Sequence, residues 1–175
     1  MKAAADGLPV TIVNPTAVFG DHDVKPTSGT LVVAIASGKL PFIIDARINA
    51  MDVRDMARGQ IAAMKIGEVG RRYLLGDHNT TIYELTRLIA RIAKVRSPLV
   101  KIPLPLAALV ARASEYAGRL FHQEKPLFPL AGIDFLKYGD HYDTTRAKTE
   151  LGLKSTPLEE TFERAIRWFR EHHYV

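Results

Sequence analysis

The sequence predicts an α/β protein built on a parallel layer, with a second half that is mostly helical. Three observations carry this. Short apolar, strand-like runs alternate with helix-like runs through the first half. The earliest run, Val10 to Val13, is mostly β-branched and apolar in succession, as in a strand covered on both faces of a parallel sheet. Beyond residue 81 the apolar residues recur at helical spacing, with short extended pieces between them.

Each element has its own signal. Met1 to Asp6 reads as the last turn of a helix, and Gly7 fits its C-terminal cap. After the strand at Val10 to Val13, residues 14–28 read as a loop with two prolines. Residues 29–37 form a short apolar helix ended by Gly38. Pro41 to Asp45 and Ile48 to Met51 are two extended stretches. Residues 53–66 carry helical spacing through Val53, Met56, Ala57, Ile61 and Met64, and Arg72 to Leu75 is a further strand. Thr81 and Glu84 have the spacing of a capping box. Behind them Ile82, Leu85, Leu88, Ile89 and Ile92 fall on one face.

Leu99 to Ile102 is extended. Pro105 suits the first turn of a long helix reaching about Phe121, with an apolar face of Leu106, Leu109, Val110, Ala113, Ala117 and Leu120. Its polar face holds few Lys or Arg, so core packing is favoured over a membrane surface. His122 to Pro129 reads as a loop and Ile133 to Tyr138 as one helical turn. Asp143 can cap a helix over Thr144 to Leu151, which Gly152 ends. Thr156, Pro157 and Glu159 open a final helix with capping-box spacing. Its buried stripe is Leu158, Phe162, Ala165, Ile166 and Phe169, and its terminal arginines and histidines suit the negative pole.

Composition narrows the function classes. At 175 residues, 47% hydrophobic and 25% charged, the chain suits one soluble domain or large lobe rather than a disordered segment. With no cysteine, disulfides and thiolate metal sites are excluded. The apolar runs fall short of a membrane span and no signal pattern is visible, so a cytoplasmic location is expected. The net charge is +5, with Lys and Arg scattered rather than gathered in a basic stripe with interleaved aromatics. That argues against nucleic-acid binding and for a solubilising surface, with attraction of a phosphorylated ligand as a weaker use.

Candidate chemistry is sparse. No G-x-G-x-x-G or G-x-x-G-x-x-G occurs; Gly67 and Gly70 have part of that spacing, but Tyr73 takes the third place. No Tyr is followed four residues later by Lys. Three of the six histidines follow Gly-Asp, at Gly20, Gly76 and Gly139, and the unequal intervals make no structural repeat. His22 lies between Asp21 and Asp23, but no helix carries paired histidines, so no metal site is expected. Asp55, early in its helix, can accept from free backbone N–H groups. Tyr83, Tyr116 and Trp168 are expected to pack, and His172-His173 to form a frayed helix end.

The order of these segments resembles a family. Gly7 to Gly20 is similar to the strand-and-loop of extended short-chain dehydrogenases/reductases, with their G-L-P-V-x-I-V-N-P-T-x-V-x-G pattern. Ile48 to Gly59 is similar to that family's N-x-x-x-V-x-D-V-A-x-G segment. Tyr73 to Gly76, followed by Asn79, Thr80 and Thr81, matches its next strand and helix start. Asp143 to Leu153 and Pro157 to Phe169 resemble its closing patterns. Within the family, Asp23 to Thr27 brings the chain nearest to hopanoid-associated sugar epimerases and dihydroflavonol-reductase-like proteins.

The resemblance implies the C-terminal part of a Rossmann-like doubly wound parallel sheet, plus a mostly helical substrate-binding lobe. Residues 1–93 would be the last strands and helices of the dinucleotide-binding sheet, with residues 39–52 contributing to the substrate lobe. Residues 94–175 would be that lobe and its closing helix. The implied function is the substrate-binding portion of an NAD(P)-dependent nucleotide-sugar epimerase/dehydratase or reductase. The family's glycine fingerprint and catalytic Tyr/Lys pair have no match here, so no catalytic residue is assigned and the chain alone is expected to be inactive.

By the same resemblance, Pro15, Thr16, Ala17 and Val18 would meet the nicotinamide of NAD or NADP. Asp23, Lys25 and Thr27 would border the substrate, and Arg54 could reach it. The implied partners are a missing N-terminal half, a small-molecule substrate, and a second copy joined through an exposed strand edge. The alternative is a non-catalytic binding or interaction module derived from the same fold.

Overall fold

A computed structural model describes residues 5–38, 40, 42–44, 46–98, 100–103, 105–109, 112 and 140–175. Its strands are β1 (Ile12–Pro15), β2 (Ala17–Phe19), β3 (Ile43–Ile44), β4 (Arg47–Asp52), β5 (Arg72–Leu75), β6 (His78–Thr81) and β7 (Lys101–Ile102). Its helices are α1 (Gly29–Ala36), α2 (Val53–Ile66), α3 (Ile82–Ala93), α4 (Thr145–Leu151) and α5 (Leu158–Glu171). β1 pairs in parallel with β5, Ile12 opposite Arg72 and Pro15 opposite Leu75. β2 pairs in parallel with β4, which pairs antiparallel with β6, and β3 pairs in parallel with β7.

Two cores result. The larger joins α1, α3 and α5 over β2 and β4, with Phe19, Ile35, Leu85, Ile89, Phe162 and Phe169 buried. The Phe19 and Phe162 rings meet edge to face at 5.3 Å. The smaller packs α2 and α4 on β5 through Met51, Ala63, Tyr73, Leu75, Ala147 and Leu151.

Most expected elements form where the sequence placed them. α2 spans residues 53–66, and Gly7, Gly38 and Gly152 take positive φ of 88°, 67° and 63° at their turns. The Thr81 and Glu84 capping box closes with hydrogen bonds of 3.1 and 3.0 Å. Trp168 packs against Phe169 and stacks on His172 at 4.2 Å.

Four expectations change. The first strand begins at Ile12 and is half-buried rather than covered on both faces. Only Val13 reaches a core, and Asn14 and Pro15 are exposed. The expected loop after it contains β2, because Thr16 hands the chain from the β1–β5 sheet to the β2–β4–β6 sheet. α5 starts without a side-chain cap: Thr156 gives its N–H to Asp55, 101 positions earlier, so Pro157 holds the N-cap position. In α2 the buried residues are Asp55, Gly59 and Ala63, while Ile61 and Met64 are exposed. A side chain at Gly59 would meet Leu153 at 2.7 Å and Leu75 at 3.2 Å, so the bare backbone lets α2 approach β5.

The helix from Pro105 is described over residues 105–109 and at 112; there Ala107 is buried while Leu106 and Leu109 are exposed. Its continuation through Val110, Ala113, Tyr116, Ala117 and Leu120 to Phe121 lies outside the described residues. So do the loop at His122 to Pro129, the turn at Ile133 to Tyr138, and residues 1–4.

Candidate functional site

Open α/β sheets bind ligands outside the carboxyl ends of their strands. Here β1 and β5 end together. The Thr16 N–H donates to the Leu75 carbonyl at 2.9 Å, and the chain then turns into β2. Ala17 is buried, Thr16 and Val18 are partly exposed, and Pro15 is exposed. β2 is an edge strand, so its backbone edge away from β4 pairs with no other strand among the described residues. The Val18 carbonyl on this segment accepts from the Ser28 hydroxyl.

A buried amide holds this junction. Asn49, 1% exposed in the middle of β4, accepts at Oδ1 from the Thr16 hydroxyl at 2.8 Å and from the Asp77 N–H at 3.0 Å. Its Nδ2 donates to Asn79 Oδ1 at 2.7 Å. Asn79 in turn grips the Tyr142 backbone in both directions, at 3.0 Å each. Gly76 is required at this crossing, since a side chain there would meet Asn49 Oδ1 at 2.4 Å and Thr16 at 2.7 Å. Buried polar groups must be paired, and a network with every member satisfied fixes one geometry.

An open pocket of about 500 Å³ adjoins the junction. Its lining includes Asp77, Asn79, Tyr142, Asp143 and Lys148. The Asp77 side chain is only 4% exposed, yet its carboxylate accepts from Lys148 Nζ at 2.7 Å and from the Ser155 hydroxyl at 2.6 Å. His78 Nε2 lies 3.0 Å from the same carboxylate and 2.9 Å from the Thr156 carbonyl. Two acceptors on one ring nitrogen place a proton there. The Thr145 side chain and, after it, the Thr145 N–H hydrogen-bond to Asp143 and hold that carboxyl below its usual range. The arrangement positions backbone and orients polar groups around the buried Asp77 carboxylate.

The loop expected to border a substrate is anchored elsewhere. Asp23 Oδ2 accepts from the Gly29 N–H at 3.2 Å, at the start of α1. The Tyr174 hydroxyl donates to the Val24 carbonyl at 2.7 Å. Lys25 and Thr27 are exposed. Arg54 pairs with Asp21 at 2.6 Å. Burial would raise the Asp21 carboxyl, but the hydrogen bond and charge of Arg54 outweigh it and leave it below its usual range. Asp23, Lys25, Thr27 and Arg54 do not line the pocket beside Thr16. Among the described residues, no three His, Asp or Glu side chains gather as a metal site.

Asp55 does not cap its own helix. Asp52 does, accepting from the Arg54 N–H at 2.8 Å. Asp52 also receives the Thr161 hydroxyl at 2.6 Å and the Arg164 guanidinium. Asn49, Asp77 and Asn79 are site residues that sequence reasoning left without a role. The available signal was a polar residue inside the otherwise apolar run Ile48 to Met51, which demands a buried partner.

These features define an α/β protein in which two parallel strands end side by side next to an open polar pocket. The chain is 29% identical, over all of its length and 52% of the other, to a Synechocystis protein named as a candidate dihydroflavonol 4-reductase. It superposes on a nucleoside-diphosphate-sugar epimerase from Pseudomonas aeruginosa with a TM-score of 0.79 and 33% identity, covering 99% of this chain and 52% of that one. The Bordetella bronchiseptica enzyme WbmH, solved in complex with NAD+, shares the fold at 20% identity and a TM-score of 0.65 over 96% of this chain and 48% of that one. No family model matches the chain. The chain spans about half the length of the curated relatives it matches. It belongs to the extended short-chain dehydrogenases/reductases and corresponds to the C-terminal part of their fold.

Proposed function

We propose that this chain is the substrate-binding portion of an NAD(P)-dependent nucleotide-sugar epimerase/dehydratase or reductase. The observation that carries the reading is the β1–β2 junction. Thr16 is fixed by Asn49 at the carboxyl edge of the sheet, beside a polar pocket, and is followed by a backbone edge that pairs with no second strand among the described residues. Pro15, Thr16, Ala17 and Val18 form one wall for the nicotinamide of NAD or NADP. A short strand edge fits a flat carboxamide, whereas pyrophosphate needs a glycine turn at a helix N-terminus. When bound, the cofactor supplies the hydride chemistry; these residues orient it.

In this reading residues 1–93 belong to the cofactor sheet, with residues 39–52 reaching the substrate lobe, and residues 94–175 form that lobe and its closing helix. In the same reading Asp23, Lys25, Thr27 and Arg54 border the substrate, and the exposed Lys25 is the cation that would meet a phosphorylated or carboxylated ligand. The setting is the cytoplasm; no described helix is long and apolar enough to cross a membrane.

The test is a fusion. The cofactor-binding half of the P. aeruginosa relative is joined ahead of this chain, and NADH and NADPH binding are followed by fluorescence. Micromolar binding that Val18→Trp abolishes, with the melting temperature kept, is the expected outcome. Binding indifferent to Val18→Trp contradicts the nicotinamide wall.

A further inference from the structure

Asp21 sits between two guanidinium groups and is hydrogen-bonded to one of them. It lies in the segment between β2 and α1, with its side chain 10% exposed. Its Oδ2 accepts from Arg54, in the first turn of α2, at 2.6 Å, and His22 Nε2 stands 3.7 Å from the same oxygen. Its Oδ1 faces Arg164 of α5, whose Nε is 4.0 Å away, beyond hydrogen-bond distance. Arg164 is 15% exposed and commits both Nη groups elsewhere, one to the buried Asp52 and the other to Glu160 at 2.8 Å. Its Nε is buried and has no hydrogen-bond partner among the described residues. A buried N–H left without an acceptor is costly, and Asp21 Oδ1 is an acceptor that a small shift would bring to it. Arg54 differs in setting. Its side chain is 52% exposed, so a solute can reach its guanidinium. That planar fork matches the paired oxygens of a phosphate or a carboxylate, and Asp21 competes with any such group for it.

We propose that Asp21 is handed from Arg54 to Arg164 when an oxyanion of the substrate, a phosphate or a carboxylate, takes Arg54. The move onto Arg164 Nε is about 1 Å, the difference between the present separation and an ordinary hydrogen bond. Arg54 is then the anion receptor, and Arg164 is a positioning residue that acts through Asp21. The exchange gives the mostly buried Asp21 carboxylate a new partner as it loses the old one, so anion binding does not strand a charge. It also satisfies the Arg164 N–H that is unpartnered in the present state. The moving residue adjoins His22, which holds a left-handed φ of 65°, and leads on to Asp23 and Lys25. A contact with two discrete arrangements, one favoured by the ligand, ties the shape of this segment to occupancy of the site. This inference rests on the function proposed above, in which Arg54 and Lys25 border the substrate.

The test titrates the full chain with inorganic phosphate, and separately with acetate, at constant ionic strength. Trp168 is the sole tryptophan of the sequence and its ring lies 5.7 Å from that of His22, so its fluorescence follows the segment. Heteronuclear NMR follows the Arg164 Nε–H directly. Saturable binding of phosphate, acetate or both is expected, and the arm that responds tells which group the site takes. At saturation the Arg164 Nε–H should shift downfield and exchange more slowly with water, as a charge-assisted hydrogen bond requires. Asp21→Asn, which frees Arg54 from its competitor, should tighten binding about tenfold. Glu163→Gln removes the same charge from an exposed position on α5 and should change affinity less than about twofold. Arg164→Lys keeps a cation for Asp52 but lacks the Nε donor. It should weaken binding about fivefold in the wild type and have no effect in the Asp21→Asn background. Binding that Asp21→Asn leaves unchanged or weakens overturns the handover, as does an Arg164 Nε–H that stays unmoved at saturation in the wild type. Failure of both anions to bind saturably overturns it too. None of these results bears on cofactor binding by the fusion, which tests the functional reading separately.

Discussion

Asp55 shows how one buried carboxylate sets the path of a distant segment. It is 1% exposed, accepts from the Thr156 N–H at 2.8 Å and receives the Arg58 guanidinium. Burial alone would raise its pKa. The hydrogen bonds from Thr156 and Arg58 outweigh that, and the carboxyl sits below its ordinary value of 3.8. The folded state therefore favours the ionised form. Its stabilisation is present above pH 3.8 and is lost as pH falls through the lower folded value. Asp55→Ala should lower stability by roughly 1–3 kcal/mol near neutral pH, the penalty for an orphaned buried donor. In urea unfolding the gap between variant and wild type should narrow below about pH 3.8; a gap constant with pH contradicts the ionised contact. The sequence revealed that Asp55 accepts hydrogen bonds but not from whom, because its donor lies 101 positions away. Asn49 was opaque for the same reason: its partners come from two distant segments, Thr16 on one side and Asp77 and Asn79 on the other.

Elements were legible where their signals are local. The α3 start needs only residues within one turn, and the capping box forms as spaced. Thr81→Ala should cost about 1 kcal/mol, read from the thermal midpoint; no measurable change would mean the cap is idle in solution. α5 has a clear buried stripe, with Phe162 and Phe169 both at 0% exposure. Phe162→Ala should cost about 3–5 kcal/mol, and a loss below about 1 would mean that α5 is not docked on β2 and β4. What the sequence hid was tertiary. The capping spacing at Thr156 is real, but Asp55 takes its N–H. The apolar spacing in α2 is real, but a neighbouring Gly59 brings a different face onto β5. β2 is three residues long and exists because Ala17 to Phe19 lie against Ala50 to Asp52. Nothing in its own composition separates it from a loop.

At the scale of the molecule, the described sheets are small and open. β1 and β5 form a two-stranded sheet, half-buried at β1, and an unpaired strand edge is a template for association. Sedimentation should therefore show concentration-dependent self-association; a concentration-independent monomer would count against that edge being available. The central claim is that this chain supplies a wall of the site, but not the means to hold a dinucleotide. A few backbone hydrogen bonds at Pro15 to Val18, worth about 1 kcal/mol each, cannot offset the loss of freedom of a dinucleotide. Titration of the isolated chain with NADH and NADPH, followed by calorimetry, tests this most directly. The prediction is no heat of binding for either cofactor; micromolar affinity in the isolated chain would contradict it.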